Sequence, residues 1–182
     1  MKTAYLGMPV VATFVLVMGV GYIIGGFKSA IIVGSFLAFI ALTEWWDRAL
    51  ITAYMTTFGV VISAIIGITV GSLCAQSQFA SKTILLVCDT FQTFPSFIYL
   101  IPVIMLFGVT DTSVLTAVIV YATIPATRYT VEGLRSVPIA LHDAASMSGV
   151  TKLQRLFKIE FPLAFPHMML GLNQTIVFAL FM

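Results

Sequence analysis

Charge is scarce in this sequence. Asp, Glu, Lys and Arg make up 9% of its 182 residues, against about 25% in a soluble domain. Hydrophobic residues make up 60%, and the mean hydropathy is +1.08. So little polar surface excludes a soluble enzyme or binding domain and implies an integral membrane protein. The net charge of +2 is too small to call for a nucleic-acid partner. Cysteine is sparse as well. Cys74 and Cys88 lie in apolar surroundings with neither metal-ligand spacing nor a second pair, so they read as buried thiols rather than a disulfide or a metal site. No G-x-x-x-x-G-K-[ST] occurs, so the chain has no phosphate-cradling loop, and no cofactor is expected.

What the sequence does contain is a series of charge-free runs: Thr3 to Phe27, Ser29 to Thr43, Ala49 to Ser81, Thr90 to Thr110, Thr112 to Thr127 and Phe161 to Met182. A crossing helix needs about 20 residues, so these runs predict an all-α polytopic protein with about six transmembrane helices. Gln76, Ser77 and Gln78 mark the polar end of the longest run. The first run is longer than a signal-peptide core and lacks a convincing cleavage site, so it reads as a span. Its Gly19, Gly21, Gly25 and Gly26 suit close approach of another helix. If the stretch after His142 is cytoplasmic, alternate crossings put Lys28, Lys82, Arg128, Arg135, Lys152, Arg155 and Lys158 inside and only Lys2 and Arg48 outside. Trp45 and Trp46 then anchor the outer interface, and Asp111 lies in a short outer turn.

The stretch "HDAASMSGVTKLQRLFKIEFP", His142 to Pro162, is the most polar in the chain. Pro138 suits the first turn of a helix that runs on from Ile139 to Ser148, and Gly149 breaks it. Thr151 with Gln154 forms a capping-box pattern for a second short helix. There Leu153, Leu156 and Phe157 face one way and Lys152, Arg155 and Lys158 the other. Pro162 restricts Phe161, where the next membrane run begins. A basic amphipathic helix of this kind also suits a membrane surface, so periodicity alone leaves both uses open.

The order of residue types points further. Asp143, Ala144, Ala145, three residues, Gly149, nine residues, Ile159 and Pro162 resemble the Glu-Ala-Ala loop of ABC-type importer permeases, with Asp143 for the usual Glu and Phe161 for the usual Leu. "DTFQTFPSFIYLIPVIMLFG", Asp89 to Gly108, and "FPLAFPHMMLGLNQT", Phe161 to Thr175, are similar to the glycine betaine, proline, choline and carnitine branch. The likeness covers roughly Trp45 to Met182. It implies a type I permease domain over residues 45–182, with extra transmembrane helices over residues 1–44 and a coupling loop over residues 136–162. It also implies a plasma-membrane location, cytoplasmic ATPase subunits, an external substrate-binding protein and a second permease copy. In the family a further helix follows "NQTIVFALFM", so the core is expected to lack its last helix. The loop would dock in an ATPase groove through Ala144 and Ala145, with Asp143 pairing a basic residue and Gly149 making the turn.

No catalytic set is visible. His142 and His167 lack neighbouring ligands or nucleophiles, and an intramembrane enzyme would need a pair at membrane depth, where only Asp89 comes near. A passive channel would need no coupling loop. Asp89, Gln92, Asn173 and Gln174 are polar residues near or inside apolar runs, with interhelical hydrogen bonding and pathway lining both open to them. Phe91, Phe94, Phe97 and Tyr99 read as lipid-facing or packed, since the resemblance puts an aromatic cage in the separate binding protein. Pro95, Pro102 and Pro125 interrupt the central helices.

The basic asymmetry yields a topology test. In a Cys74→Ser, Cys88→Ser background, single cysteines at positions 82, 135 and 152 should react with an impermeant reagent only from the cytoplasmic side, and one at 111 only from outside. Labelling of position 152 from outside would invert the assignment.

Overall fold

A computed structural model describes residues 10–182. Lys2 and the start of the first apolar run lie outside the described residues. The elements are α1 Val10–Leu42, α2 Trp46–Ala75, α3 Gln78–Gln92, α4 Phe97–Phe107, α5 Asp111–Arg135, α6 Ile139–Met147, α7 Lys152–Arg155, a π-helical turn Leu156–Glu160, and α8 Phe161–Leu180. The chain divides into two compact units, one ending at Met55 and the other spanning Thr56–Met182.

In the first unit, α1 breaks at Gly26, where φ of 69° and ψ of −165° leave helical space. The break divides its 33 residues into arms of 16. The arms double back on each other. A Cβ on Gly21 would lie 3.5 Å from the Val33 side chain, and one on Gly34 would lie 3.1 Å from Met18. Gly21 thus does serve close approach, whereas Gly19 has nothing within 4 Å. Trp46 opens α2 and stacks on Phe14 at 6.0 Å, while Trp45 stays 63% exposed.

The expected six crossings are not confirmed as such. Among the described residues four helices are long and apolar enough to cross, or five when α3 and α4 count as one broken span. Two features bear on the count. The first two charge-free runs form the single element α1, bent at Gly26, which counts once. The run Thr90 to Thr110 is not one straight helix: α3 and α4 meet at 88° across the break that holds Pro95. Pro102 and Pro125, by contrast, sit inside α4 and α5 without ending them.

The second unit is built around α5, of whose apolar window 56% is buried, against 28% for α2 and for the helix through Lys152–Leu180. Small residues let its neighbours approach. Gly59, Ser63, Gly67 and Gly71 recur every four residues along one face of α2. A Cβ on Gly59 would lie 2.5 Å from Val118, one on Gly67 2.8 Å from the Thr127 nitrogen, and one on Gly71 2.7 Å from Thr130. Ser63 Oγ donates to the Ile119 carbonyl at 3.0 Å. Contacts advance along both helices together, so this part of α2 runs parallel to α5. On the opposite flank, Gly133 meets Ala164 and His167, and Gly171 meets Tyr129, so α8 runs antiparallel to α5. Val60, Val118, Ala122 and Ala179 close one end of the core, and Leu134, Leu156, Ala164 and Met168 close the other.

In lipid there is no hydrophobic drive between helices, so this fit of small residues supplies the packing energy. Replacing Gly71 by Leu should cost about 2 kcal/mol or more through overpacking. Gly19→Leu should be near neutral. Thermal unfolding of the detergent-solubilised variants checks both.

Candidate functional site

Two polar constellations stand out in the second unit. The first is the segment between α5 and α8. α6 begins after Pro138 and ends at Ser148, whose N–H bonds the Ala144 carbonyl at 3.1 Å. Pro138 is the cap residue, just outside the helix rather than in its first turn. Gly149 follows with φ of +69°, the left-handed conformation that glycine adopts without penalty. The capping box is complete. Thr151 Oγ1 accepts from the Gln154 N–H at 3.3 Å, and Gln154 Oε1 accepts from the Thr151 N–H at 3.0 Å.

Beyond Arg155 the sequence-based expectation fails. The amphipathic helix is not separate from the membrane run. It passes through the π-helical turn straight into α8, and Phe161 is helical with φ of −60° and ψ of −49° in spite of Pro162. The wider turn carries the extra residue that gives the proline ring room, so the helix continues where the proline was expected to interrupt it.

Among the loop residues singled out in the sequence, Ala144, Ala145, Ile159 and Pro162 come together around an apolar groove of about 520 Å³. Ala145 is buried at 4% exposure, while Asp143 and Gly149 are exposed. Glu160, which occupies the unspecified place in the motif, went unnoticed in the sequence. Its carboxylate is buried and accepts from Arg155 Nε at 2.8 Å, with His142 Nδ1 at 3.2 Å. These contacts join α6 and α7 to the base of α8. The neighbouring cavity of about 580 Å³ reaches Gln76 at the end of α2 and Arg135 at the end of α5. Arg135 Nη1 donates to Ser81 Oγ at 3.1 Å. The charges of Lys82, Arg135, Lys152 and Arg155 therefore belong to one end of the helices, the distribution that the positive-inside rule requires of the cytoplasmic end.

The second constellation surrounds Arg128, which is not a loop charge. It lies on α5 seven residues before Arg135, about 10 Å deeper along the helix. Its Nη1 pairs with Asp89 of α3 and donates to Gln92 Oε1 at 3.0 Å, and its Nε donates to Glu132 Oε1 at 3.0 Å. Gln92 and Gln174 line a cavity of about 150 Å³ with Arg128, Tyr129, Glu132 and Phe178. Three of the four polar residues expected near the pathway thus converge on Arg128, namely Asp89, Gln92 and Gln174. Asn173 is exposed and does not line this cavity. Tyr99, Tyr121 and Phe178 form an aromatic series with centroids 5.0 and 4.7 Å apart, and the Tyr99 hydroxyl donates to the Phe91 carbonyl. Tyr99 is therefore packed, whereas Phe97 is 67% exposed. Cys74 and Cys88 are both free thiols.

Residues 67–182 match the family of binding-protein-dependent transport system inner membrane components. The chain belongs to this family. It is accordingly a multi-pass plasma-membrane protein, in keeping with its long apolar helices. Named relatives agree. The chain is 74% identical, over all of its length and 25% of theirs, to the trimethylamine N-oxide transport system permease protein TmoV of Pelagibacter ubique. It is 44% identical to the protein of the same name from Ruegeria pomeroyi, over 97% of the chain and 27% of that relative. It is 33% identical to the glycine betaine/proline betaine transport system permease protein ProW of Escherichia coli, over 97% of the chain and 50% of ProW. The chain thus spans a quarter to a half of the length of these relatives.

The Glu160 contacts generate a test. Glu160→Gln removes the charge that holds Arg155 and His142, at a cost of about 2 kcal/mol for charged hydrogen bonds. Amide hydrogen exchange across Ile139–Met147 should speed up in this variant while exchange in the middle of α5 stays unchanged.

Proposed function

We propose that the chain forms part of the membrane pathway of an ATP-driven importer of small methylated amines, with trimethylamine N-oxide and glycine betaine as its solutes. The observation that carries this reading is the pair of short helices Ile139–Met147 and Lys152–Arg155 at the basic end of the helices, with the family's loop pattern on it and Glu160 tying it to α8. The names of the relatives support the solute class. The chain carries no phosphate-binding loop, so a cytoplasmic ATPase supplies the energy, an external binding protein delivers the solute, and a second permease copy completes the pathway. The role of the chain is transport rather than catalysis, and residues 1–44 serve as helices additional to the permease domain.

In this reading α6 is the coupling helix. Ala144 and Ala145 allow close contact with the ATPase, Asp143 offers an exposed charge to a basic groove, and Gly149 fixes the angle between α6 and α7. The groove beside Ala144 and Ala145 contains Ile159 and Pro162, so force applied at α6 reaches the start of α8.

Uptake of labelled trimethylamine N-oxide, glycine betaine, methionine and phosphonate by the complete reconstituted transporter tests the solute class. Import of the two methylated amines is expected, and preference for methionine or phosphonate would refute it. The coupling role has its own test. A Cβ at Gly149 would meet nothing within 4 Å, so Gly149→Val acts through backbone strain alone, at about 1 kcal/mol or more. Asp143→Lys reverses an exposed charge, and like-charge contact at an interface costs up to several kcal/mol. Both variants should insert normally yet lose solute-stimulated ATP hydrolysis and co-purification of the ATPase. Lys152→Ala should change little, because an isolated exposed charge contributes little. Wild-type coupling in both of the first two variants would leave α6 as a membrane-surface helix only.

A further inference from the structure

The cavity at Arg128 combines three chemistries within about 150 Å³: a guanidinium, a carboxylate on the same helix face at Glu132, and the rings of Tyr129 and Phe178, with amides from Gln92 and Gln174. An enclosed cavity of this size takes a guest of about six heavy atoms, which accommodates trimethylamine N-oxide, while the larger glycine betaine would extend through the open side of the cavity. Arg128, Asp89 and Glu132 together carry one net negative charge, so the site favours a guest with a positive part. The guanidinium, already engaged by Asp89, Gln92 and Glu132, can exchange the half-exposed Asp89 carboxylate for another oxygen acceptor. Aromatic faces attract quaternary ammonium groups. A large anion is opposed by two carboxylates, and a simple cation leaves the guanidinium without a new partner.

From this geometry we infer that the Arg128 cavity is a binding site within the membrane-spanning helices for zwitterionic or N-oxide methylated amines. Arg128 and the two glutamines take the oxygen end, and Glu132 with Phe178 takes the methylated nitrogen. Asp89 is the exchangeable counter-ion. Its side chain is 53% exposed and comes from α3, whereas Glu132 lies one turn along α5 from Arg128 itself. A solute oxygen on Arg128 replaces Asp89 and releases the ion pair between α3 and α5. Occupancy of the site thereby loosens the contact between the bent α3–α4 pair and the central helix. This inference rests on the solute class proposed above.

The test uses the complete transporter in sealed proteoliposomes without its binding protein. A cysteine replaces Tyr129, and in a second reporter Pro125, lining residues to which no contact with the solute is assigned, in a Cys74→Ala, Cys88→Ala background, and labelling by methyl methanethiosulfonate is timed. Glycine betaine or trimethylamine N-oxide at ten times its half-protecting concentration should slow labelling about tenfold. Glu132→Gln and Arg128→Lys should each raise the half-protecting concentration about tenfold. Choline, which lacks the anionic oxygen, and 3,3-dimethylbutyrate, which lacks the positive charge, should not protect. If both reporters label equally fast with and without either solute while the same preparation imports them once the binding protein is added, the site is refuted and the proposed function stands. If the preparation imports neither solute, both readings fall. Equal protection by 3,3-dimethylbutyrate would refute the assigned role of Glu132.

Discussion

The close approach of backbones along α5 is the constraint on which the second unit depends. Lipid tails are as apolar as leucine, so burying leucine between helices gains nothing over leaving it in the bilayer. Attraction must come from dense contact and from polar bonds made where no water competes. The tetrad Gly59, Ser63, Gly67 and Gly71 provides the contact, and the Ser63 hydroxyl on the Ile119 carbonyl provides such a bond. With α2 close on one flank and α8 on the other, the polar side chains of α5 have only the remaining sector open, and Arg128 meets its partners there.

That arrangement explains how a chain with so little charge places three ionic groups within its helices. An unpaired guanidinium at membrane depth is costly, so Arg128 is engaged through two of its nitrogens by Asp89, Gln92 and Glu132. The same economy appears at the basic end of the helices, where the buried Glu160 has both Arg155 and His142. The Arg128 cluster links elements distant in sequence and the Glu160 cluster links consecutive ones, and neither has the spacing of a metal site or a catalytic set.

Much of this was legible in the residues. Charge-free runs located α2, α5 and α8, Gly149 and the Thr151–Gln154 box located the turn between the short helices, and the loop pattern pointed to the family. Three things were not. The continuity of α7 with α8 was hidden because the rule for residues before proline holds for an α-helical turn, and the wider turn at Leu156–Glu160 suspends it. The packing face of α2 was missed because the tetrad's glycines were read as part of an apolar run rather than at their four-residue spacing. The pairing of Arg128 with Asp89 joins residues 39 apart, and no local periodicity reveals it. Asn173 shows the converse, since its neighbour Gln174 turns toward the cavity while Asn173, about 100° around the helix, does not.

The π-helical turn also acts as a joint. It holds one more residue than an α-helical turn, so the helix through Lys152–Leu180 contains a register offset at its base. Passing that offset along the helix by one step turns the rest of α8 about 100° on its axis or slides it about 1.5 Å. Such a shift would be a screw motion of α8, and the side chains it would sweep past α5 are Gln174 and Phe178.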